Sequence, residues 1–152
     1  MEIEIRKLGA KDKTPMHLLL QADPSEEMVN RYLFAGDTYL AWTGDQLVGV
    51  FILMPNTEEE IELKNIAIEE AYRRKGIGKE LVNYVIRISK MEGFQYLIAK
   101  TADTSTDQIK FYESLRFKPY FVVKGHFIKY YKEPIMENGK QAIDQIVLRR
   151  KL

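Results

Sequence analysis

A short loop between a β-prone run and a helical pattern carries the residues best suited to chemistry. It reads Arg73-Arg74-Lys75-Gly76-Ile77-Gly78-Lys79, so cations and two glycines stand where a helix begins. Glycine has no Cβ, and an anion can therefore approach free backbone N–H groups at the positive end of the helix dipole. These features predict a binding site for a pyrophosphate. The alternative is a solvated loop whose glycines only ease a tight turn.

The loop does not fit a dinucleotide-binding fold. The dinucleotide fingerprint requires a third glycine at the position that Leu81 occupies in this chain. A pyrophosphate carried by another kind of ligand is therefore the better interpretation.

The residue inventory limits which reactions are open to the chain. It contains no cysteine, which excludes disulfides, thiolate metal sites and a cysteine acyl-enzyme. Its two histidines, His17 and His126, lack metal-ligand spacing, and no Gly-x-Ser-x-Gly motif is present. We therefore predict no metal site, and we expect catalysis to rest on carboxylates, tyrosines and backbone dipoles.

Length and charge narrow the class of protein further. The 23 basic and 22 acidic residues leave a formal net charge of +1, without the excess of positive charge that general nucleic-acid binding requires. No apolar run is long enough to cross a membrane, and the N-terminus does not resemble a signal peptide. We expect a cytoplasmic protein without nucleic-acid or membrane partners, and a single domain over residues 1–152.

Hydrophobic periodicity predicts the elements that position the loop. Alternating residues predict strands, and apolar residues at helical spacing predict a helix over Gly76–Met91 that Gly93 ends with a positive φ. A helix after Ala22 would have Asp23 as its N-cap and Pro24 at its first position. The predicted strands are Glu2–Leu8, Asp37–Thr43, Gln46–Met54, Glu60–Ile68, Gln95–Thr101, Phe117–Lys124 and Ile143–Arg149, with a further helix over Thr104–Leu115 and an irregular segment over His126–Ala142. The order β-α-α-β-β-β-α-β-α-β-β predicts an α/β fold with a mixed central sheet of about seven strands flanked by four helices.

Two segments in this frame resemble the GNAT superfamily of N-acetyltransferases. The first is Tyr72-Arg73-Arg74-Lys75-Gly76-Ile77-Gly78-Lys79, which is similar to that family's acyl-CoA signature. The second is Phe111-Tyr112-Glu113-Ser114-Leu115-Arg116-Phe117, which resembles a phenylalanine-tyrosine-glutamate segment that ends in glycine-phenylalanine. Here Arg116 replaces the usual glycine, and Ser105 stands where the family often has a cofactor-contacting asparagine.

The resemblance implies that acetyl-CoA is the cosubstrate and assigns it a set of residues. Backbone groups of Ile66, Ala67 and Ile68 would pair with the pantetheine arm in the manner of an added strand. The pyrophosphate would be held by the loop residues Arg73, Arg74, Lys75, Gly76, Ile77, Gly78 and Lys79, and Ser105 would contribute one hydrogen bond.

Acetylation of an amine also needs a base and an acid. A lysine-like ammonium has a pKa near 10.4, so its proton must be removed before attack. By resemblance Glu62 is the first candidate, with Glu60, Glu69 or a chain of waters as alternatives. Tyr112 would protonate the departing thiolate, although a tyrosine on such a helix is often only a core residue.

The acceptor remains open at this stage. The resemblance implies a primary amine on a small molecule or a peptide, such as a polyamine, an aminoglycoside, an amino acid or a protein amine. The aromatic residues Tyr120, Phe121, Phe127, Tyr130 and Tyr131, with Glu133 and Glu137, would either shape its pocket or simply pack the last strands. Exposed edge strands make a homodimer feasible. A non-catalytic acyl-CoA sensor on the same fold is the alternative to an enzyme.

Overall fold

A meander of antiparallel strands forms the first half of the sheet in the computed structural model, which describes residues 1–152. Strand β1 (Glu4–Lys7) pairs with β2 (Asp37–Thr43), β2 with β3 (Gln46–Pro55), and β3 with β4 (Glu60–Ile68). Two helices, α1 (Met16–Ala22) and α2 (Glu26–Leu33), separate β1 from β2. The β2–β3 hairpin turns at Gly44-Asp45, where Gly44 has a φ of 56°, a conformation that costs glycine little.

A helical crossover then makes the sheet mixed. Helix α3 (Ile77–Met91) connects β4 to β5 (Tyr96–Ala102), and β5 runs parallel to β4. Helix α4 (Thr106–Ser114) leads to β6 (Lys118–Val123), and the last strand, β9 (Gln145–Lys151), inserts between β5 and β6. The seven strands therefore stand in the order β1-β2-β3-β4-β5-β9-β6.

Helices cover both faces of this sheet. Apolar residues of α3 and α4 bury one face, including Leu81, Val85 and Tyr112 against Phe51 and Leu97. Helices α1 and α2 bury the other face through a smaller cluster that includes Leu18, Leu19 and Val29. The sheet thus fixes the ends of β4, α3 and α4 relative to one another.

A bulge in β4 opens the middle of the sheet. Asn65 pairs with Ile52 of β3 and Leu63 pairs with Leu53, so Lys64 between them has no partner. On its other side β4 pairs with β5 only as far as Leu63, opposite Ala99. Beyond that point the two parallel strands separate, and the backbone groups of β4 after Leu63 face an opening instead of β5.

The predicted architecture is confirmed, with corrections. The chain has the seven-stranded mixed sheet, and Gly93 has a φ of 92° at the end of α3. Five α-helices are present where four were predicted, because the segment His126–Ala142 is not irregular. It contains a short helix, α5 (His126–Lys129), and a small hairpin of β7 (Met136–Glu137) and β8 (Lys140–Gln141).

The predicted cap of α2 was wrong. Ser25 is the N-cap, since its Oγ accepts a hydrogen bond from the Met28 N–H at 3.2 Å. The Asp23 carboxylate instead accepts hydrogen bonds from the hydroxyls of Tyr32 and Tyr131. Pro24 therefore precedes the helix and does not occupy its first position.

Candidate active site

The loop before α3 presents a row of free backbone donors. None of the N–H groups from residue 74 to residue 79 donates a hydrogen bond within the chain. Arg74 and Gly76 both have positive φ, 61° and 80°, and alternation of this kind turns successive N–H groups toward a common point. Helix α3 is long enough to add its dipole at that point. The loop is therefore a binding site suited to an anion such as a pyrophosphate.

The cationic side chains of this loop have different surroundings. Arg73 donates from Nε to the Ile68 carbonyl at 3.1 Å and from its guanidinium to Gln21 of α1. It therefore ties the loop to the end of β4 and to α1. Lys75 lies over the Tyr72 ring, with its Nζ 5.4 Å from the ring centroid.

A groove of about 200 Å³ continues from the loop into the opening between β4 and β5. Its lining includes the β4 segment from Leu63 to Ile68, Gly78 of α3, and Phe111 and Tyr112 of α4. The expected pantetheine residues and the expected acid thus meet in one groove.

Tyr112 is buried in this groove without a hydrogen-bond partner in the protein. Its side chain packs against the rings of Phe111 and Phe117, with centroids 5.3 and 5.1 Å away. Burial raises the pKa of the Tyr112 phenol well above its ordinary value of about 10. The hydroxyl therefore stays protonated and can donate to a group bound in the groove.

A second cavity, of about 340 Å³, meets the groove from the side of α1 and α2. Ala22, Lys64, Lys100 and Gln108 line both spaces and so mark the point at which they join. We call this point the junction. A molecule in the second cavity has access through the junction to a group held in the groove.

Glu62 lies beside the junction and is only 2% exposed. Its Oε1 accepts a hydrogen bond from Asn56 Nδ2 at 3.0 Å and lies 3.2 Å from Nζ of Lys100. Its Oε2 lies 3.6 Å from Nζ of Lys64. The carboxylate therefore contacts two ammonium groups, which the sequence did not anticipate for a candidate base.

Ser105 lies in the second cavity and is absent from the lining of the groove. Its Oγ donates to Glu137 of the β7–β8 hairpin, and Thr104 donates to the same carboxylate oxygen. Asn138 reinforces this contact through a hydrogen bond of 2.8 Å to the Thr104 carbonyl. The hairpin is thereby attached to the N-terminus of α4.

A hydrogen-bond network beside the groove and the second cavity was not predicted from the sequence. Asn65 Nδ2 donates to the Tyr32 hydroxyl at 2.9 Å, which donates to Asp23, and Tyr131 donates to the other oxygen of Asp23 at 2.9 Å. These contacts join residues that lie far apart in the chain, so no local pattern identifies them. A buried polar residue within an apolar strand, as Asn65 is, was the available signal.

The aromatic and acidic residues predicted to shape an acceptor pocket or to pack the last strands do not all lie together. Phe127, Tyr131 and Glu137 line the second cavity. Tyr120 and Phe121 lie exposed on the edge strand β6, away from it.

His126 also lines the second cavity, although the sequence indicated no function for it because the two histidines lack metal-ligand spacing. Its ring packs against Phe127 and Tyr130, with centroids 4.9 and 5.0 Å away. Burial lowers the pKa of His126, and the positive charges of Lys64 and Lys100 lower it further. The imidazole is therefore neutral at pH 7.

Comparison with known proteins settles the family. Residues 6–117 match the family model described as the acetyltransferase (GNAT) family. The chain belongs to the GNAT family of acetyltransferases. The matched region contains the anion-binding loop, the opening between β4 and β5, and Tyr112.

Close relatives extend this assignment over nearly the whole chain. The uncharacterised N-acetyltransferase YvbK of Bacillus subtilis is 37% identical to this chain over 143 residues. The aligned region covers 93% of this chain and 92% of that protein. A crystal structure of a GNAT family acetyltransferase from Elizabethkingia anophelis with acetyl-CoA bound is 37% identical, covers 99% of this chain and 98% of that one, and has a TM-score of 0.96. An acetyltransferase of Bacillus subtilis in complex with CoA is 34% identical, covers 99% of both chains, and has a TM-score of 0.91.

The chain is therefore an acyl-CoA N-acetyltransferase with a GNAT fold. None of its helices combines the length and the apolar character needed to span a membrane.

Proposed function

We propose that this enzyme transfers an acetyl group from acetyl-CoA to the primary amine of a small molecule or peptide by direct attack. The observation that carries the proposal is the junction, where a groove that begins at the anion-binding loop meets a second cavity. Two substrates entering from different sides can bring their reacting atoms together there. Residues 1–152 act as one N-acetyltransferase domain.

The groove residues fit acetyl-CoA. Its phosphates carry roughly four negative charges, which suit the free N–H groups of residues 74–79 together with the side chains of Arg74, Lys75 and Lys79. Gly76, Ile77 and Gly78 contribute backbone to this cradle. Arg73 acts by holding the loop to β4 and α1, because its guanidinium is already engaged there.

The pantetheine arm pairs with the open edge of β4. Ile66, Ala67 and Ile68 lie beyond the last β4–β5 pair, so a ligand can add to β4 in place of β5. A backbone N–H near Ile68 polarises the acetyl carbonyl. Ser105 supports the site indirectly by holding Glu137, and a direct contact with the cosubstrate would require that hydrogen bond to open.

Tyr112 is the general acid in this proposal. Its hydroxyl is protonated, lacks a protein partner and lines the groove near the junction. As the amine nitrogen bonds to the acetyl carbon, the carbon–sulfur bond breaks and the departing thiolate takes the phenolic proton.

Glu62 is the proposed acceptor of the proton that the amine loses. It lines the second cavity, where its two oxygens lie 3.2 Å from Nζ of Lys100 and 3.6 Å from Nζ of Lys64. A water between Glu62 and the amine would carry the proton if the two do not touch. Neutral His126 in the same cavity is a further acceptor of suitable chemistry.

The proposal is tested by measuring CoA release from acetyl-CoA with a thiol reagent across a panel of primary amines. Mass spectrometry of the product then counts the acetyl groups added. We expect CoA release only when amine is present, with one acetyl group added per CoA formed. Calorimetric binding of acetyl-CoA without turnover on any amine would favour a sensor, which the named N-acetyltransferase relatives do not favour.

A homodimer through the exposed edge strand β6 stays a prediction. Sedimentation equilibrium of the wild type and of a Phe121→Lys variant measures it directly, because Phe121 is exposed on that strand.

A further inference from the structure

Two lysines stand at the junction, where the acceptor amine must meet the acetyl group. Lys64 is the unpaired residue of the β4 bulge, and Lys100 lies on β5 just beyond the last β4–β5 pair. Their side chains are 22% and 29% exposed, and both line the groove as well as the second cavity. Any acceptor that reaches the thioester passes between or beside them.

These two lysines have a single carboxylate within ion-pair distance. Within 4 Å both ammonium groups pair only with Glu62, whose Oε1 also accepts a hydrogen bond from Asn56. Two cations therefore share one carboxylate. An ammonium group has three donors, so each lysine keeps donors for another partner.

The other carboxylates of the cavity do not contact these lysines and accept hydrogen bonds from hydroxyl groups instead. Asp23 accepts from the hydroxyls of Tyr32 and Tyr131, and Glu137 accepts from Ser105 and Thr104. Neither forms an ion pair with a lysine of the junction. Within ion-pair distance the junction thus has one carboxylate for two ammonium groups, and their remaining donors are available to a ligand.

We propose that Lys64 and Lys100 bind the carboxylate of the acceptor, and that the acceptor is a free amino acid. This inference rests on the proposed function. The amine must reach the acetyl carbon at the junction, and the cations that hold the carboxylate stand at the same place. The two groups of the acceptor therefore lie within a few bonds of each other, as in an α-amino acid.

The same charges disfavour the other amines that the sequence left open. A polyamine or an aminoglycoside brings further positive charge to a point where two ammonium groups share one carboxylate, and a peptide N-terminus has an amide where the carboxylate is needed. A nearby cation also favours the neutral form of the amine, which is the form that attacks.

The rest of the cavity suits the side chain of such an acceptor. Its volume of about 340 Å³ is at the small end of the range for small-molecule sites. Aromatic and apolar residues also line the cavity: Met28, Phe127, Tyr131, Ile135, Met136 and Tyr32, whose ring centroid lies 5.3 Å from Nζ of Lys64. A mostly apolar or aromatic amino acid side chain fits this lining.

Matched acceptors test the inference on the wild-type enzyme. We would compare kcat/KM for L-phenylalanine and L-methionine with kcat/KM for their amides and for 2-phenylethylamine. A free acid that is preferred over its amide by at least about tenfold supports carboxylate recognition, since a hydrogen bond to a charged group has an effect of that order. Equal or better turnover of the amides overturns the inference and leaves the proposed function standing. Turnover of other primary amines without turnover of any free amino acid likewise overturns only the inference, whereas acetyl-CoA binding without turnover on any primary amine overturns both.

Charge-removing variants test the lysines themselves. In Lys64→Met and Lys100→Met, kcat/KM for the free acid should fall on the order of 10- to 100-fold while that for the amide stays within about twofold. Lys100→Arg should retain the preference for the acid. Lys129→Met, outside both cavities, is the matched control. An equal fall in kcat/KM for the acid and the amide in folded variants would mean that the lysines only maintain the structure of the site. That result would overturn the inference.

Discussion

Glu62 and Lys100 face each other where β4 and β5 separate, with Oε1 of Glu62 3.2 Å from Nζ of Lys100. The carboxylate is almost fully buried, whereas the lysine keeps part of its surface exposed to solvent. The pair therefore stabilises the opening in the sheet and places charge beside the reacting groups. These two roles can be separated by mutation.

Glu62→Gln should lower both stability and activity. The substitution leaves two ammonium groups beside a buried neutral amide, and we expect the free energy of unfolding to fall by about 2 kcal/mol, below the usual cost of breaking a fully buried pair because the lysines can turn to solvent. The double variant Glu62→Gln/Lys100→Met should regain part of that stability, as urea denaturation would measure. If Glu62 accepts the amine proton, kcat stays low in the double variant; recovery of kcat would assign Glu62 a purely electrostatic role.

Arg116→Gly should leave stability unchanged or increase it by up to about 1 kcal/mol. Arg116 has a φ of 71° after α4, a conformation that glycine adopts without strain. Burial lowers the pKa of neighbouring Arg150 and the charge of Arg116 lowers it further, so the substitution removes a repulsion as well. Urea denaturation of the glycine variant measures the change in the free energy of unfolding. Arg116→Ala is the comparison, because it keeps the backbone strain. A loss above about 1 kcal/mol in the glycine variant would contradict this account.

The sequence specified those elements whose cause is local. The β-prone run Glu60–Ile68 gave the bounds of β4, and the helical spacing of Leu81, Val82 and Val85 gave α3. Glycine at positive φ explains the ends at Gly76 and Gly93. Each of these signals lies within one segment of the chain.

The parts of the site that escaped prediction depend on pairing between distant segments. The bulge at Lys64 exists only in the register between β3 and β4. Asp23 resembles a helix cap locally, but its partner Tyr131 lies 108 residues later in the chain. The counter-ions of Glu62 likewise include Lys100 of the neighbouring strand, so the meeting of two lysines at one carboxylate was not visible in the sequence.

His126 should make stability depend on pH just below neutrality. Its pKa is lower in the folded protein than in the unfolded chain, where it is about 6.5, so the unfolded chain binds more protons between these two values. Stability is therefore lost as pH falls from about 6.5 through the folded pKa. In His126→Gln this part of the decrease should disappear when Tm is measured from pH 7.5 to 5. The same replacement of the other histidine, His17→Gln, is the control, and a similar change there would contradict the assignment.

Gly78→Val should weaken the binding of acetyl-CoA while the protein remains folded. A Cβ at Gly78 would lie 3.7 Å from the Phe111 ring, an ordinary contact, so the fold tolerates it. The added methyl groups of valine would occupy the groove beside the anion-binding loop. We expect calorimetry to give a Kd raised at least about tenfold, with a smaller effect for Gly78→Ala. Lys90→Val at the other end of α3 controls for valine in a helix, and near-native affinity of Gly78→Val would remove this loop from the acetyl-CoA site.

Tyr112→Phe tests the proposed acid most directly, because it removes one hydroxyl and keeps nearly all of the packing against Phe111 and Phe117. We expect kcat to fall on the order of 10²-fold, equivalent to about 2.7 kcal/mol of transition-state stabilisation. The Kd for acetyl-CoA should change little, since the proposed phosphate and pantetheine contacts come from the backbone elsewhere.

The pH dependence of the wild type adds a second test of Tyr112. Burial raises the pKa of its phenol, so deprotonation of Tyr112 should not reduce kcat below about pH 10, where an ordinary tyrosine begins to ionise.

Tyr84→Phe on α3 is the matched control for the Tyr112→Phe variant, because Tyr84 packs against Tyr39 and Phe51 away from the groove. Single-turnover kinetics at saturating acetyl-CoA distinguishes the chemical step from product release. A folded Tyr112→Phe enzyme with the kcat of the wild type would show that the thiolate takes its proton from another donor.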